Sequence, residues 1–241
     1  MKLYIVGIGP GDFENMTIRA DKALRGCDTI IGYHVYVDLV KPWYPDKEFM
    51  TTPMTREADR CRMALEQAKT KTVCMVCSGD SGIYGMAALC YELRGEGETP
   101  EIEVIPGLTA ACSGGAVLGA PLTHDFAVIS LSDRLTPWEK ILKRLDCAAK
   151  ADLSMVIYNP KSHGRPDNLA MACDKLMETL PPDRLCGVVH NIGREGEKAV
   201  ILTLSELRNY DADMFCTVFI GNAMTKNIGG RLVTPRGYKD V

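Results

Sequence analysis

The chain has 241 residues, 46% of them hydrophobic and 24% charged, which suits one large globular domain or two of about 100–120 residues. With 28 basic and 31 acidic side chains the formal charge is −3, so no global attraction for nucleic acid or an anionic membrane is expected. The opening apolar run, residues 3–8, is too short for a signal peptide, and no window approaches the ~20 apolar residues of a membrane span, so a cytoplasmic location is expected.

Apolar, β-rich runs recur along the chain at 3–8, 29–31, 73–77, 102–105, 127–131, 153–158, 185–190, 200–202 and 215–220. Most are continuous rather than alternating, the pattern of strands covered on both faces. Helical stretches are expected between them at 17–27, 56–69, 84–94, 108–118, 137–149 and 167–180, the first opening at a Thr17 cap and the fifth with Pro137 in its first turn. This alternation reads as α/β. A boundary near Gly119-Ala120-Pro121-Leu122 would give two α/β domains, 1–120 and 121–241.

The ten cysteines are scattered through apolar runs, unlike the loop-clustered cysteines of a disulfide scaffold, and read as buried thiols in a reducing compartment. Cys74 and Cys77 form the one Cys-x-x-Cys. Three apart on a strand, their side chains point to opposite faces, and no second pair completes a zinc site; no metal is expected.

Three glycine-bearing turns follow expected strands. Gly7-Ile8-Gly9-Pro10-Gly11-Asp12 departs from the dinucleotide fingerprint because its last glycine is replaced by a carboxylate, which repels phosphate, and Pro10 removes a backbone donor. It is a tight turn or a cleft-lining loop. Ser78-Gly79-Asp80-Ser81-Gly82-Ile83-Tyr84-Gly85 exposes backbone to a ligand; Asp80 either caps the next helix or accepts hydrogen bonds from one. In Pro106-Gly107-Leu108-Thr109-Ala110-Ala111, Thr109 is a cap or a ligand contact.

Taken together, these three motifs resemble those of the tetrapyrrole methylase family. Tyr158-Asn159-Pro160, the segment 188–194 and the strand ending at Gly221 extend the resemblance across essentially the whole chain. Within the family, Gly32-Tyr33, Leu122-Thr123-His124-Asp125-Phe126, Ser130-Leu131-Ser132-Asp133, Thr136-Pro137-Trp138-Glu139 and Thr234-Pro235-Arg236-Gly237-Tyr238 look like the group that methylates carbon 17 of precorrin-3B or its cobalt counterpart.

The resemblance implies two α/β domains with S-adenosyl-L-methionine in the interdomain cleft, a substrate trough served by the first domain, a tetrapyrrole (precorrin) substrate and a homodimer. It implies cofactor contacts from Pro10, Ser78, Gly79, Asp80, Ile83, Thr109, Ala110, Asn159, Asn191 and Ile192. Asn159 stands where many members have methionine. Methylation at carbon 17 with ring contraction moves protons, for which His124, Asp125 and Asp133 are candidates, with a hinge histidine and capping aspartates as the alternatives. His34, His163 and His190 read as surface or core positions. The substrate carboxylates would meet some of Arg56, Arg134, Lys161, Arg165, Arg194, Arg231 and Arg236. A nicotinamide oxidoreductase would instead need an acid ending the second strand, and Asp28 precedes that strand. A tetrapyrrole carrier without enzymatic activity would leave the glycine turns idle.

Overall fold

The computed structural model describes residues 1–97, 99–162 and 164–239. It divides into two compact units, Met1–Ala110 and Ala111–Val241.

In the first unit β1 (Lys2–Gly7), β2 (Thr29–Tyr33), β3 (Glu48–Thr52), β4 (Val73–Cys77) and β5 (Glu101–Ile105) form one sheet in the order β3-β2-β4-β1-β5. Every pairing is parallel. Helices α1 (Ile18–Gly26), α2 (His34–Val40), α3 (Glu57–Gln67) and α4 (Ala87–Arg94) connect the strands. Alternate strand residues enter two separate apolar clusters: Leu3, Ile5 and Met75 join one, and Val6, Cys74 and Val76 the other. This two-sided burial explains the unbroken apolar runs, each fully buried Leu, Ile or Val contributing about 1.5–3 kcal/mol. Cys74 and Cys77 fall in different clusters, as period-two geometry requires. Thr17 caps α1, its hydroxyl accepting from the Ala20 N–H at 3.1 Å. Helix α4 starts at Ala87 rather than at 84. Tyr84 has φ +54, and the Ala87 N–H already bonds the Ser81 carbonyl at 3.1 Å, so the residues between form a turn.

In the second unit β7 (Phe126–Ser130), β8 (Ser154–Tyr158), β9 (Leu185–His190), β10 (Lys198–Thr203) and β11 (Cys216–Ile220) are ordered β10-β9-β11-β8-β7. β7 and β8 are parallel, and β11 runs antiparallel to both β8 and β9. One face packs on α6 (Trp138–Lys150), α7 (Asn168–Met177) and α8 (Leu204–Leu207) through a cluster that includes Ile141, Leu145, Leu169, Leu176 and Leu207. Pro137 is the cap of α6 and not its first helical residue.

Helix α5 (Ala110–Leu118) approaches the strands of this unit very closely. A Cβ on Gly114 would lie 2.8 Å from Ile192 Cδ1 and 2.9 Å from Phe219 Cζ, and one on Gly187 would lie 2.6 Å from Leu118 Cδ1. The helix therefore belongs with the second unit, and the division falls at Ala110 instead of near residues 119–122. Strand β6 (Gly119–Ala120) then pairs with the hairpin of β12 (Lys226–Ile228) and β13 (Arg231–Val233). Among the described residues no helix is long and apolar enough to cross a membrane.

Candidate functional site

The three glycine motifs follow β1, β4 and β5, which are neighbours in the first sheet. Their turns are locked together by backbone. Gly9 and Gly79 exchange N–H to carbonyl bonds of 3.1 and 2.7 Å. A Cβ on Gly107 would stand 2.1 Å from the Gly79 oxygen, and one on Gly7 would stand 2.6 Å from the Gly107 nitrogen. Only glycine permits this approach, and Gly79 also holds φ +65.

Asp80 supplies the clamp. One of its carboxylate oxygens accepts from the Gly82 and Ile83 N–H groups at 2.8 and 3.1 Å, and the other from the Gly107 N–H at 2.9 Å. Beside it the buried Ser81 hydroxyl donates to the Ile105 carbonyl at 3.1 Å. The arrangement brings Pro10, Ser78, Gly79, Asp80, Thr109 and Ala110 to one edge; the Cβ direction of Gly79 points to Thr109 Cα at 3.7 Å and Ala110 N at 3.8 Å. Ile83 presents an exposed apolar side chain there.

Two acids near these turns have structural partners. Asp12 closes its own loop by accepting from the Asn15 backbone N–H at 2.7 Å and the Asn15 amide at 2.8 Å. Asp28 accepts from the Thr72 N–H at 2.8 Å before β2 begins. Because β2 ends in Gly32-Tyr33, the acid that holds a dinucleotide ribose is lacking at that strand end. At the end of β4, burial pushes the Cys77 thiol up to about 11, so it stays protonated and inert near neutrality.

In the second unit the strands β7, β8 and β9 share a direction, and their carboxyl ends carry Ser130, Asn159 and Asn191. Both asparagines adopt φ +52, a conformation that asparagine tolerates better than most residues. The Asn159 amide donates to the Ser130 hydroxyl at 2.9 Å, and the Asn191 amide to the Glu195 carbonyl at 3.3 Å. The buried Ile192 meets α5 at Gly114. The Tyr158 hydroxyl accepts from the Ala111 N–H at 2.9 Å, satisfying a donor at the open end of α5. The tyrosine's place before Asn159-Pro160 is visible in the sequence, but nothing there signals its partner.

The three proton-transfer candidates are not gathered on one point. His124 and Asp125 precede β7 and Asp133 follows it, so a five-residue strand, about 17 Å of chain, separates them. The His124 Nε2 lies 2.9 Å from the Pro235 carbonyl, to which it donates, and Thr123 donates to the Thr234 carbonyl; together they fasten the C-terminal segment. Asp125 is exposed. Asp133 forms an ion pair of 3.8 Å with Arg165, whose guanidinium also donates to Ser132 and Ser162. His34 is exposed, His190 contacts Asp213 at 3.1 Å, and His163 lies outside the described residues.

The profile of the Tetrapyrrole (Corrin/Porphyrin) Methylases matches residues 2–208. The chain belongs to the tetrapyrrole methylase family. This methylase is 44% identical over 246 residues to the probable cobalt-factor III C(17)-methyltransferase of Methanocaldococcus jannaschii, covering 99% of this chain and 98% of the relative. It is 43% identical over 244 residues to the cobalt-factor III methyltransferase of Priestia megaterium, where it accounts for 99% of its own length but spans only 45% of that longer protein. Among solved structures it resembles the methyltransferase CobJ, with a TM-score of 0.90 and 34% identity, covering 97% of this chain and 99% of that one.

Proposed function

We propose that this tetrapyrrole methylase transfers a methyl group from S-adenosyl-L-methionine to carbon 17 of cobalt-factor III or precorrin-3B, with contraction of the macrocycle, in cobalamin biosynthesis. The observation that carries the reading is the interlocked set of glycine turns at the carboxyl edge of the first sheet, where open parallel sheets receive ligands. Similarity along the whole chain to a protein named as a C(17)-methyltransferase supports the choice of reaction.

The residues present suit the cofactor. Gly79 and Gly82 leave backbone uncovered beside the apolar Ile83, a surface that accepts an adenosyl group without displacing side chains. In this reading Pro10, Ser78, Gly79, Ile83, Thr109 and Ala110 hold it, and Asn159, Asn191 and Ile192 are the further contacts that the family resemblance implies. Asp80 serves the turn first, since its oxygens fix the loop that offers the backbone, and ligand contact adds to that role. S-adenosylmethionine supplies an electrophilic methyl group on a sulfonium. Its transfer to carbon is an in-line displacement that requires no nucleophilic side chain, and alignment alone is worth about 7–11 kcal/mol. Of the proton-transfer candidates, Asp133 shares the strand edge that carries Asn159, whereas His124 engages the Pro235 carbonyl through Nε2. The same reading makes the enzyme a cytoplasmic homodimer, and sedimentation of the purified protein tests its oligomeric state.

Incubation with S-adenosylmethionine and cobalt-factor III, followed by mass spectrometry and NMR, is expected to show one added methyl group at carbon 17 and a contracted ring. Methylation at another carbon would move the enzyme to a different step of the same chemistry. No methyl gain, with no binding of S-adenosylhomocysteine by calorimetry, would refute the reading.

A further inference from the structure

Arg60 of α3 occupies an unusual position in the first unit. It is only 5% exposed, on the buried face of its helix with Ala64. Its described partners are all neutral. Nε donates to the Thr52 hydroxyl at 2.9 Å, Nη2 to the Pro53 carbonyl at 3.1 Å, and Nη1 approaches the Met86 sulfur at 3.9 Å. The Tyr33 ring centroid lies 5.9 Å from the guanidinium carbon. No carboxylate pairs with it among the described residues, although Arg56 and Arg62 nearby both reach Asp59. A guanidinium carries five N–H donors, so two have no described acceptor, and one of the three contacts is to a weak sulfur acceptor. A buried cation without a counter-ion costs several kcal/mol, a cost that an arriving anion offsets.

The surroundings say what kind of anion would come. Tyr33 and Thr52 are register partners at the carboxyl ends of β2 and β3, so Arg60 lies at the edge that carries the glycine turns. Tyr33 packs edge-on against Tyr36 at 5.2 Å and His34 at 4.4 Å. Of the seven large apolar side chains exposed among the described residues of the first unit, Phe13, Met54, Ile83 and Tyr84 lie in the loops that follow β1, β3 and β4. That edge therefore combines exposed apolar and aromatic surface with one uncompensated positive charge. A flat apolar ring bearing carboxylates on its rim matches both features.

We propose that Arg60 receives one carboxylate side chain of the tetrapyrrole substrate and so sets the orientation of the macrocycle. The inference rests on the function proposed above and adds a residue to it. The rival role is a brace that only ties the Thr52-Pro53 segment to α3.

Arg60→Met and Arg60→Lys separate the two. The measurements are the dissociation constant of cobalt-factor III by absorbance titration, that of S-adenosylhomocysteine by calorimetry, and the melting temperature. Arg60→Met is expected to weaken tetrapyrrole binding at least ten-fold with S-adenosylhomocysteine affinity within two-fold of wild type. Arg60→Lys, which keeps the charge but loses the fork, is expected to fall between. Converting the tetrapyrrole carboxylates to methyl esters should weaken binding to the wild type and erase its advantage over the variants. Folded Arg60→Met that binds cobalt-factor III within two-fold of wild type overturns the proposal. Should Arg60→Met not fold, a wild-type advantage over Arg60→Lys that persists with the ester overturns it equally. Failure of the wild type to methylate cobalt-factor III strikes the proposed function instead, and the titrations stand apart from turnover.

Discussion

In the first unit the turns after β1, β4 and β5 are held mainly by backbone meeting backbone, with Gly9 and Gly79 exchanging hydrogen bonds, Gly107 seated against the Gly79 carbonyl and the Asp80 carboxylate as the one side-chain clamp described above. In the second unit the turns after β7 and β8 are joined by side chains, the Asn159 amide reaching the Ser130 hydroxyl and Arg165 reaching Ser132. The first arrangement leaves no room for a Cβ. The second uses groups that can exchange one partner for another.

The interlocked turns are most sensitive to substitution at Gly107. Alanine there would set a Cβ 2.1 Å from the Gly79 oxygen and 2.6 Å from Gly7, and only backbone movement relieves that overlap. Gly107→Ala is expected to cost more than about 3 kcal/mol in denaturant unfolding, or to prevent folding. Gly26→Ala is the control: the last residue of α1 has nothing within 4 Å of the added carbon, and its change should be neutral or stabilising by up to about 1 kcal/mol. Equal effects of the two substitutions would mean the turns are not interlocked.

Asp80 sharpens the same contrast at a smaller scale. Asp80→Ala removes three accepted hydrogen bonds, of which the one from Gly107 is partly buried and the other two face water. The expected loss is about 1–3 kcal/mol of stability, together with weaker S-adenosylhomocysteine binding as the turn loosens. Asp80→Asn is expected to do little better, because its amide NH2 would face the Gly107 N–H, donor against donor. Unchanged stability in both variants would remove Asp80 from the clamp.

Much of this is legible in the chain because β-rich apolar runs ending in glycine admit few other structures. Strand β4 and the turn after it are of that kind, and Cys74 and Cys77 part to opposite faces as strand geometry demands. Strand β3 leaves little trace in the sequence because Glu48-Phe49-Met50-Thr51-Thr52 is a half-polar edge strand, paired on one side only. The hairpin of β12 and β13 is short and mostly exposed, so it leaves no hydrophobic signature. Arg60 does not stand out from the exposed arginines because burial of a charge is set by tertiary packing. Its helical spacing with Ala64, on the buried face, is the one available signal. Likewise nothing in the sequence marks Gly114 as a packing site, because the approach of Phe219 and Ile192 to it is set by tertiary structure.

The smallest effect expected is electrostatic and lies in the second unit. Asp213 accepts from the Phe215 N–H at 2.8 Å and faces His190 Nε2 at 3.1 Å, one residue before Asn191. Burial is the largest influence on this carboxyl and acts to raise its pKa, but hydrogen bonds from Phe215, Cys216 and His190 together outweigh it and hold it below the ordinary carboxylate value. A pKa depressed by folding adds stability that is fully present above the unfolded value, about 3.9, and is lost as pH falls through the folded one. The side chain is 51% exposed, so solvent screening keeps the contribution under about 1 kcal/mol. Melting temperatures of wild type and Asp213→Asn should therefore differ slightly at pH 7 and converge as the solution is taken toward pH 3. A gap that persists in acid would assign the difference to packing around His190, and the side-chain account of this edge would lose its electrostatic part.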